Sequence, residues 1–229
     1  YAAMNSVATF CSIWAACAKA GVEFWAVDNG HFGSAQKIMR RRYFRFGHGR
    51  PLPRFRKDVE LDGSRFERFR IVPAPWSRND SGSVLLCPPV KSYGLVEAAW
   101  IDGIRQAISP SLRDRIVIRH KGDPFPLMKA IRGASVVVSR FSRVALEALA
   151  AGVPVIETEG MIRDWNGLGP EAIGRAELSV GDRFSLFRFA SWTQFTLAEI
   201  ESGFAWRVSF RLQADPRPFL AKERVELCR

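Results

Sequence analysis

Residues 134–157 read ASVVVSRFSRVALEALAAGVPVIE. ASVVV is small, apolar and β-branched, the make-up of a buried strand. Polar Ser139, Arg140, Ser142 and Arg143 follow. FSRVALEALAAG then sets apolar residues at helical spacing and stops at Gly152, and VPVIE restarts as a strand. Strand, helix and strand in so short a span form a parallel crossover unit.

The same alternation extends upstream. SVLLC (83–87) and RIVIR (115–119) read as strands, and LVEAAWIDGIRQAI (95–108) and PFPLMKAIRG (124–133) as helices. Short apolar strands alternating with helices predict an α/β fold with a doubly wound parallel sheet. Further upstream, residues 6–21 read as a helix ending at Gly21. VEFWAV (22–27) reads as a strand, followed by a turn at Asp28-Asn29-Gly30. Residues 40–75, rich in Pro, Gly and Arg, predict loops and short strands, and WSRNDSG (76–82) a polar linker. Two helical stretches follow, at about 183–191 and 196–207. The division expected is a basic N-terminal domain over 1–78, a Rossmann-like domain over 79–182, and C-terminal helices over 183–229.

Composition bounds the function. A chain of 229 residues, 47% hydrophobic and 25% charged, can bury a full core and has a soluble globular balance. No run reaches the roughly 18 apolar residues of a membrane span. SVATFCSIWAACAKA (6–20) is too short to span and lacks the basic start of a signal peptide, so it reads as a buried helix. Cys11, Cys17, Cys87 and Cys228 show no CxxC spacing and fit free thiols in a reducing cytoplasm. His31, His48 and His120 show no HxxxH spacing, so no metal site is expected.

Net charge is +11, and residues 37–70 hold twelve Lys or Arg against four acids, which is +8 of it. Arg40, Arg41, Arg42, Arg45, Arg50 and Arg54 lie in that block, with Tyr43, Phe44 and Phe46 interleaved. Such a block fits a polyanion such as DNA, with the aromatics either stacking on bases or packing in the core, and it also fits a plain solvated face.

In an open parallel sheet, ligands bind beyond the carboxyl ends of the strands. There the sequence places Arg119, His120 and Lys121, then Ser139, Arg140, Ser142 and Arg143, with Glu147 further along the helix. Cations, hydroxyls and a helix start suit a phosphate; Ser142 equally suits a plain N-cap. Glu147 reads either as a ribose ligand or as a solvated helix glutamate. Asp28, with His31 beside it, stands at the end of a strand, either as a general base or as the cap of its turn. Neither GxGxxG nor GxxxxGK[ST] is present.

RHKGD (119–123) followed by ASVVVSRFSRVALEALAAGVPVI (134–156) resembles the C-terminal half of GT-B glycosyltransferases. DNGHFG (28–33), YFRFG (43–47) and FASWTQFTLAEIESGFAW (189–206) resemble phage and prophage members of that fold. The resemblance implies two Rossmann-like halves, the N-terminal one reduced, and C-terminal helices with Trp192, Gln194 and Trp206 crossing back between them. It implies a hexosyltransferase with a UDP-sugar as co-substrate. Cationic side chains and a helix start can stabilise the leaving diphosphate without a metal, and of inversion and retention, inversion by a single displacement is the simpler expectation. His120 and Ser142 would hold the diphosphate and Glu147 the ribose. Some phage members glycosylate hydroxymethylated pyrimidines in DNA, which would place the protein in a phage-infected or lysogenic bacterial cell. The other readings are a polysaccharide, lipid or small-molecule acceptor, a non-catalytic nucleic-acid-binding protein on this scaffold, and a nucleotide-sugar epimerase. The sequence departs from the family pattern at Val90, where a serine is usual, and in its short N-terminal half.

Overall fold

The computed structural model describes residues 16–17, 19–21, 25–32, 42–48, 54–77, 79–89, 96–140, 142–174, 178 and 182–213. Most of the helix expected over 6–21 lies outside them, as do Arg40, Arg41, Arg50, Cys11 and Cys228.

Four strands, β3 (Ser83–Cys87), β4 (Ile116–Ile118), β5 (Ala134–Ser139) and β6 (Val155–Glu157), form a parallel sheet in the order β4-β3-β5-β6. Helix α2 (Val96–Ala107) follows β3, α3 (Leu127–Arg132) follows β4, and α4 (Arg143–Ala150) follows β5. Strand side chains alternate between faces, so each strand feeds two cores. Val84, Leu86, Val136, Val138 and Ile156 pack with Ile101 and Ile104 of α2 and with Ile108 just after it. Leu85, Val137 and Val155 pack on the other face with Ile131 of α3 and Val144, Ala145, Ala148 and Leu149 of α4. The expected doubly wound, Rossmann-like α/β sheet is therefore present. Because α2 and α4 leave from opposite faces, β3 and β5 flank the topological switch point, where a crevice opens at the carboxyl edge.

The N-terminal half differs from the expected Rossmann-like half. Its described strands, β1 (Trp25–Asn29) and β2 (Tyr43–His48), are antiparallel, and β7 (Gln194–Thr196) joins β2 antiparallel as the third strand. No crossover helix intervenes among the described residues, and parallel pairing would need one. The outer face of this sheet packs Phe46 and Phe195 against Ala205, Val208 and Leu212 of α8 (Phe204–Gln213). Residues beyond 183 do return to the N-terminal half, and they do so by completing its sheet.

Two buried arginines fasten the parts together. Arg65, in the short helix α1 (Ser64–Glu67), meets Glu199 of α7 (Leu197–Glu201) at 2.7 and 3.2 Å and donates to the carbonyls of Ser191 and Gln194. The rings of Trp192, Phe195 and Phe204 surround its guanidinium at 5.1–5.7 Å. Burial alone would raise the pKa of Glu199, but Arg65 and Thr196 outweigh it and hold the carboxyl below its usual range. Arg183, which opens α6 (Arg183–Trp192), donates to the carbonyls of Leu149 and Ala74 and stacks over Trp76.

The segment leading into the expected linker is docked rather than loose. Ala74 and Ser77 donate to the carbonyls of Ala150 and Gly152, each at 2.8 Å. Gly152 has φ +81°, and a Cβ there would lie 2.0 Å from the Pro75 carbonyl oxygen, so only glycine fits.

Replacing Arg65 by methionine leaves the Glu199 carboxylate half-buried without its cation. The expected loss is about 3–5 kcal/mol of unfolding free energy, read from urea midpoints. The double replacement with Glu199→Gln should recover part of it.

Candidate functional site

The carboxyl edge of the parallel sheet is built from the loops after β4, β5 and β6. After β4, the Arg119 guanidinium donates to the carbonyls of His120 and Phe125 at 3.3 and 3.2 Å and so braces its own loop. His120 presents an exposed imidazole whose Nδ1 lies 2.9 Å from Glu97 Oε1 on α2. Its backbone N–H bonds Asp123 at 2.8 Å. Lys121 is exposed.

After β5, the two expected serines part company. Ser139 is fully buried, and its Oγ has no hydrogen-bond partner. Ser142 is exposed and caps α4, its Oγ accepting the Val144 N–H at 3.3 Å. That leaves the Ser142 hydroxyl hydrogen able to donate outward. Arg143 and Glu147 pair across one turn of α4 at 3.2 Å, on its exposed side. Arg140 pairs with Glu159, after β6, at 2.9 Å.

A residue not singled out from the sequence lies beneath this edge. Glu157 ends β6, is 4% exposed, and accepts the N–H of Ser142 at 3.1 Å and of Ile162 at 3.0 Å. It thereby ties the start of α4 to the start of α5 (Met161–Asn166). Burial pushes its pKa up to about 8, against the hydrogen bonds from Ile162 and Ser142 and the charge of Arg45. One N–H at the mouth of α4 is thus already taken by an internal carboxyl group. The sequence signal was a carboxylate closing an apolar strand at the ligand edge.

Arg45 comes from the other sheet. Register pairs Asp28 with Arg45 and Arg45 with Gln194, so the three side chains form a cross-strand row on the inner face. Asp28 lies within β1, not in a turn, because pairing with β2 extends the strand through Asn29. Its carboxylate accepts the Asn29 N–H at 2.7 Å and forms an ion pair with Arg45. Arg45 therefore faces inward, its side chain 14% exposed, and is not presented as a nucleic-acid contact. Arg54 is exposed, and Arg42 is half-buried.

His31 is buried; burial first, then the Arg45 charge, holds its pKa well below the usual value, so the imidazole is neutral. The next residue, Phe32, donates its N–H to Gln194 Oε1 at 2.9 Å. Gly30 is obligatory there, since a Cβ would lie 2.6 Å from the Tyr43 carbonyl oxygen and 2.8 Å from Gln194 Oε1. The charge of Arg45 reaches both His31 and Glu157, so the inner row of the small sheet and the carboxyl edge of the large one share one region. Among the described residues, no group of three or more His, Cys, Asp or Glu is arranged to hold a metal, and no helix is long and apolar enough to cross a membrane.

The chain matches no model of a known protein family and no curated protein.

Glu157 makes stability depend on pH. The folded chain keeps its proton where the unfolded chain releases it, so its stabilising contribution is present at acid pH and is lost as pH rises to about 8. Denaturant midpoints measured across that range should fall less for Glu157→Gln than for the wild type.

Proposed function

We propose that the protein is a glycosyltransferase of GT-B type that moves a hexose from a UDP-sugar to a hydroxyl acceptor. The observation that carries the reading is the shared region of the two sheets: a switch-point edge lined with cations and hydroxyls lies beside a strand carrying Asp28. In this reading Glu147 binds the ribose, and His120, Lys121, Arg143 and the outward hydrogen of Ser142 meet the diphosphate, with Arg119 bracing the loop.

Transfer is a single displacement with inversion. The acceptor oxygen attacks the anomeric carbon, the bond to the diphosphate breaks, and the diphosphate leaves with the electron pair. The acceptor proton passes to Asp28, which Arg45 holds in place. Alignment of the acceptor and stabilisation of the leaving group carry most of the rate. Cationic side chains take the role that a metal ion has in other transferases.

The acceptor proposed is a 5-hydroxymethylated pyrimidine in DNA, in the cytoplasm of a phage-infected or lysogenic bacterial cell. Exposed Arg54, Lys57, Arg68 and Arg70 support it. A non-DNA acceptor is favoured by one fact: Arg45 and Arg65, two cations of the basic block, are used inside the fold.

The test is to incubate the protein with a panel of sugar nucleotides and hydroxymethylcytosine DNA and to weigh the nucleosides. A hexose adduct supports the reading; donor turnover without an adduct moves the acceptor elsewhere; no turnover with any donor refutes it. Glu147→Ala should raise the donor KM by about tenfold with a smaller change in kcat. Asp28→Asn should lower kcat by about a hundredfold with little change in donor KM.

A further inference from the structure

Buried polar atoms in native proteins are nearly always paired, so the exceptions call for an explanation. Six buried side-chain atoms among the described residues lack any partner: His31 Nε2, Arg45 Nε, Arg119 Nε, Ser139 Oγ, Gln194 Nε2 and Ser209 Oγ. They are not scattered. Arg45 and Gln194 are cross-strand neighbours on the inner face of the small sheet, and His31 adjoins Phe32, which bonds Gln194. Ser139 closes β5 in register with Cys87 and Glu157, so these three side chains share the face of the large sheet that packs with Phe32. Arg119 lies on the same carboxyl edge, and Ser209 alone sits elsewhere, in α8.

The chemistry of these atoms selects a ligand. Arg45 Nε and Gln194 Nε2 only donate, whereas Ser139 Oγ and a neutral imidazole nitrogen can donate or accept. The charge is already balanced: Asp28 neutralises Arg45, His31 is neutral, and the raised pKa of Glu157 leaves it protonated at neutral pH. Among Arg45, His31, Gln194 and Ser139 a bare oxyanion would find no surplus cation; Arg119, on the same edge, is engaged in bracing its own loop. A neutral group carrying several hydroxyls supplies both acceptors and donors. The row also has a direction, from Asp28, 39% exposed, through Arg45, 14% exposed, to fully buried Gln194.

We propose that the seam between the two sheets is the sugar subsite, with Gln194, Arg45, His31 and Ser139 hydrogen-bonding the hydroxyls of the transferred hexose. This rests on the glycosyltransferase reading for the identity of the donor, and it assigns sugar selection to the antiparallel sheet and to a strand from the C-terminal part of the chain. The four atoms are shielded from solvent, and Asp28, 39% exposed, is the end of the row that faces it.

The experiment compares calorimetric affinities for UDP and for UDP-glucose, UDP-galactose and UDP-N-acetylglucosamine, in the wild type and two variants. Gln194→Glu keeps the oxygen that accepts the Phe32 N–H and puts an ionisable carboxyl oxygen in place of the unpartnered amide nitrogen. Ser139→Ala removes only an unpartnered hydroxyl. The expected result is that the preferred sugar nucleotide binds more tightly than UDP. Gln194→Glu should cut that advantage by about tenfold and Ser139→Ala by about threefold, while the affinity for UDP itself holds. UDP binding with no sugar advantage, or an advantage that both variants keep, overturns the subsite and leaves the nucleotide reading intact.

Free glucose, galactose and N-acetylglucosamine provide a second arm, read as thermal stabilisation of the wild type beyond that of Gln194→Glu, which removes the general effect of sugars on stability. Stabilisation there without any nucleotide binding supports the subsite and refutes the donor reading. No response to any nucleotide or sugar overturns both.

Discussion

The contact on which the architecture depends is the bidentate pair between Arg65 and Glu199. A guanidinium removed from water is tolerable only when nearly every donor finds an acceptor. Here one carboxylate, two backbone carbonyls and three aromatic faces satisfy it. Glu199 is equally committed, because the same carboxylate also closes the capping box of α7 with Thr196. One ion pair thus sets the start of α7, the position of β7 and the docking of α1. With β7 in place, Gln194 stands beside Arg45, and the inner row of the small sheet is complete.

The parallel sheet was legible because its signals are local. Val84 and Leu86 alternate with Leu85 and Cys87, Gly152 stops a helix, and each strand lies close in sequence to its crossover helix. Observed strand and helix limits fall within two residues of the expected ones from 83 to 157, apart from the start of the 124–133 helix, which begins at Leu127. The antiparallel sheet was not legible. Its third strand is three residues long and sits between two helical runs, where periodicity has nothing to register. The strand from 22–27 was seen, but its extension through Asp28 depends on pairing with β2, which a turn-like Asp-Asn-Gly masks.

The site was read in part for the same reason. Ser142, His120 and Glu147 stand at the positions that a parallel crossover assigns them, and nothing in the local pattern separates Ser139, which is sealed inside, from the exposed Ser142. Glu157 reads as the polar end of an apolar strand and Gln194 lies between Thr193 and Phe195, and the side chain of Gln194 finds its partner, Phe32, in a distant segment. The arginines show the limit of composition most plainly. Arg45, Arg65, Arg115 and Arg183 all bind carbonyls or carboxylates of the fold itself, so net charge overstates the cation surface offered to a partner.

The insertion of β7 has a consequence for how the protein is made. Phe32 and Gln194, hydrogen-bonded in the finished sheet, are 162 positions apart in the chain. During synthesis β1 and β2 emerge early and wait as an incomplete pair, and a lone two-stranded hairpin is marginal in water. The parallel sheet, whose contacts are nearer in sequence, can form while that pair is still waiting. The small sheet closes last, when the C-terminal part of the chain arrives, so a chain cut short before residue 194 would hold the switch-point loops without the wall that faces them.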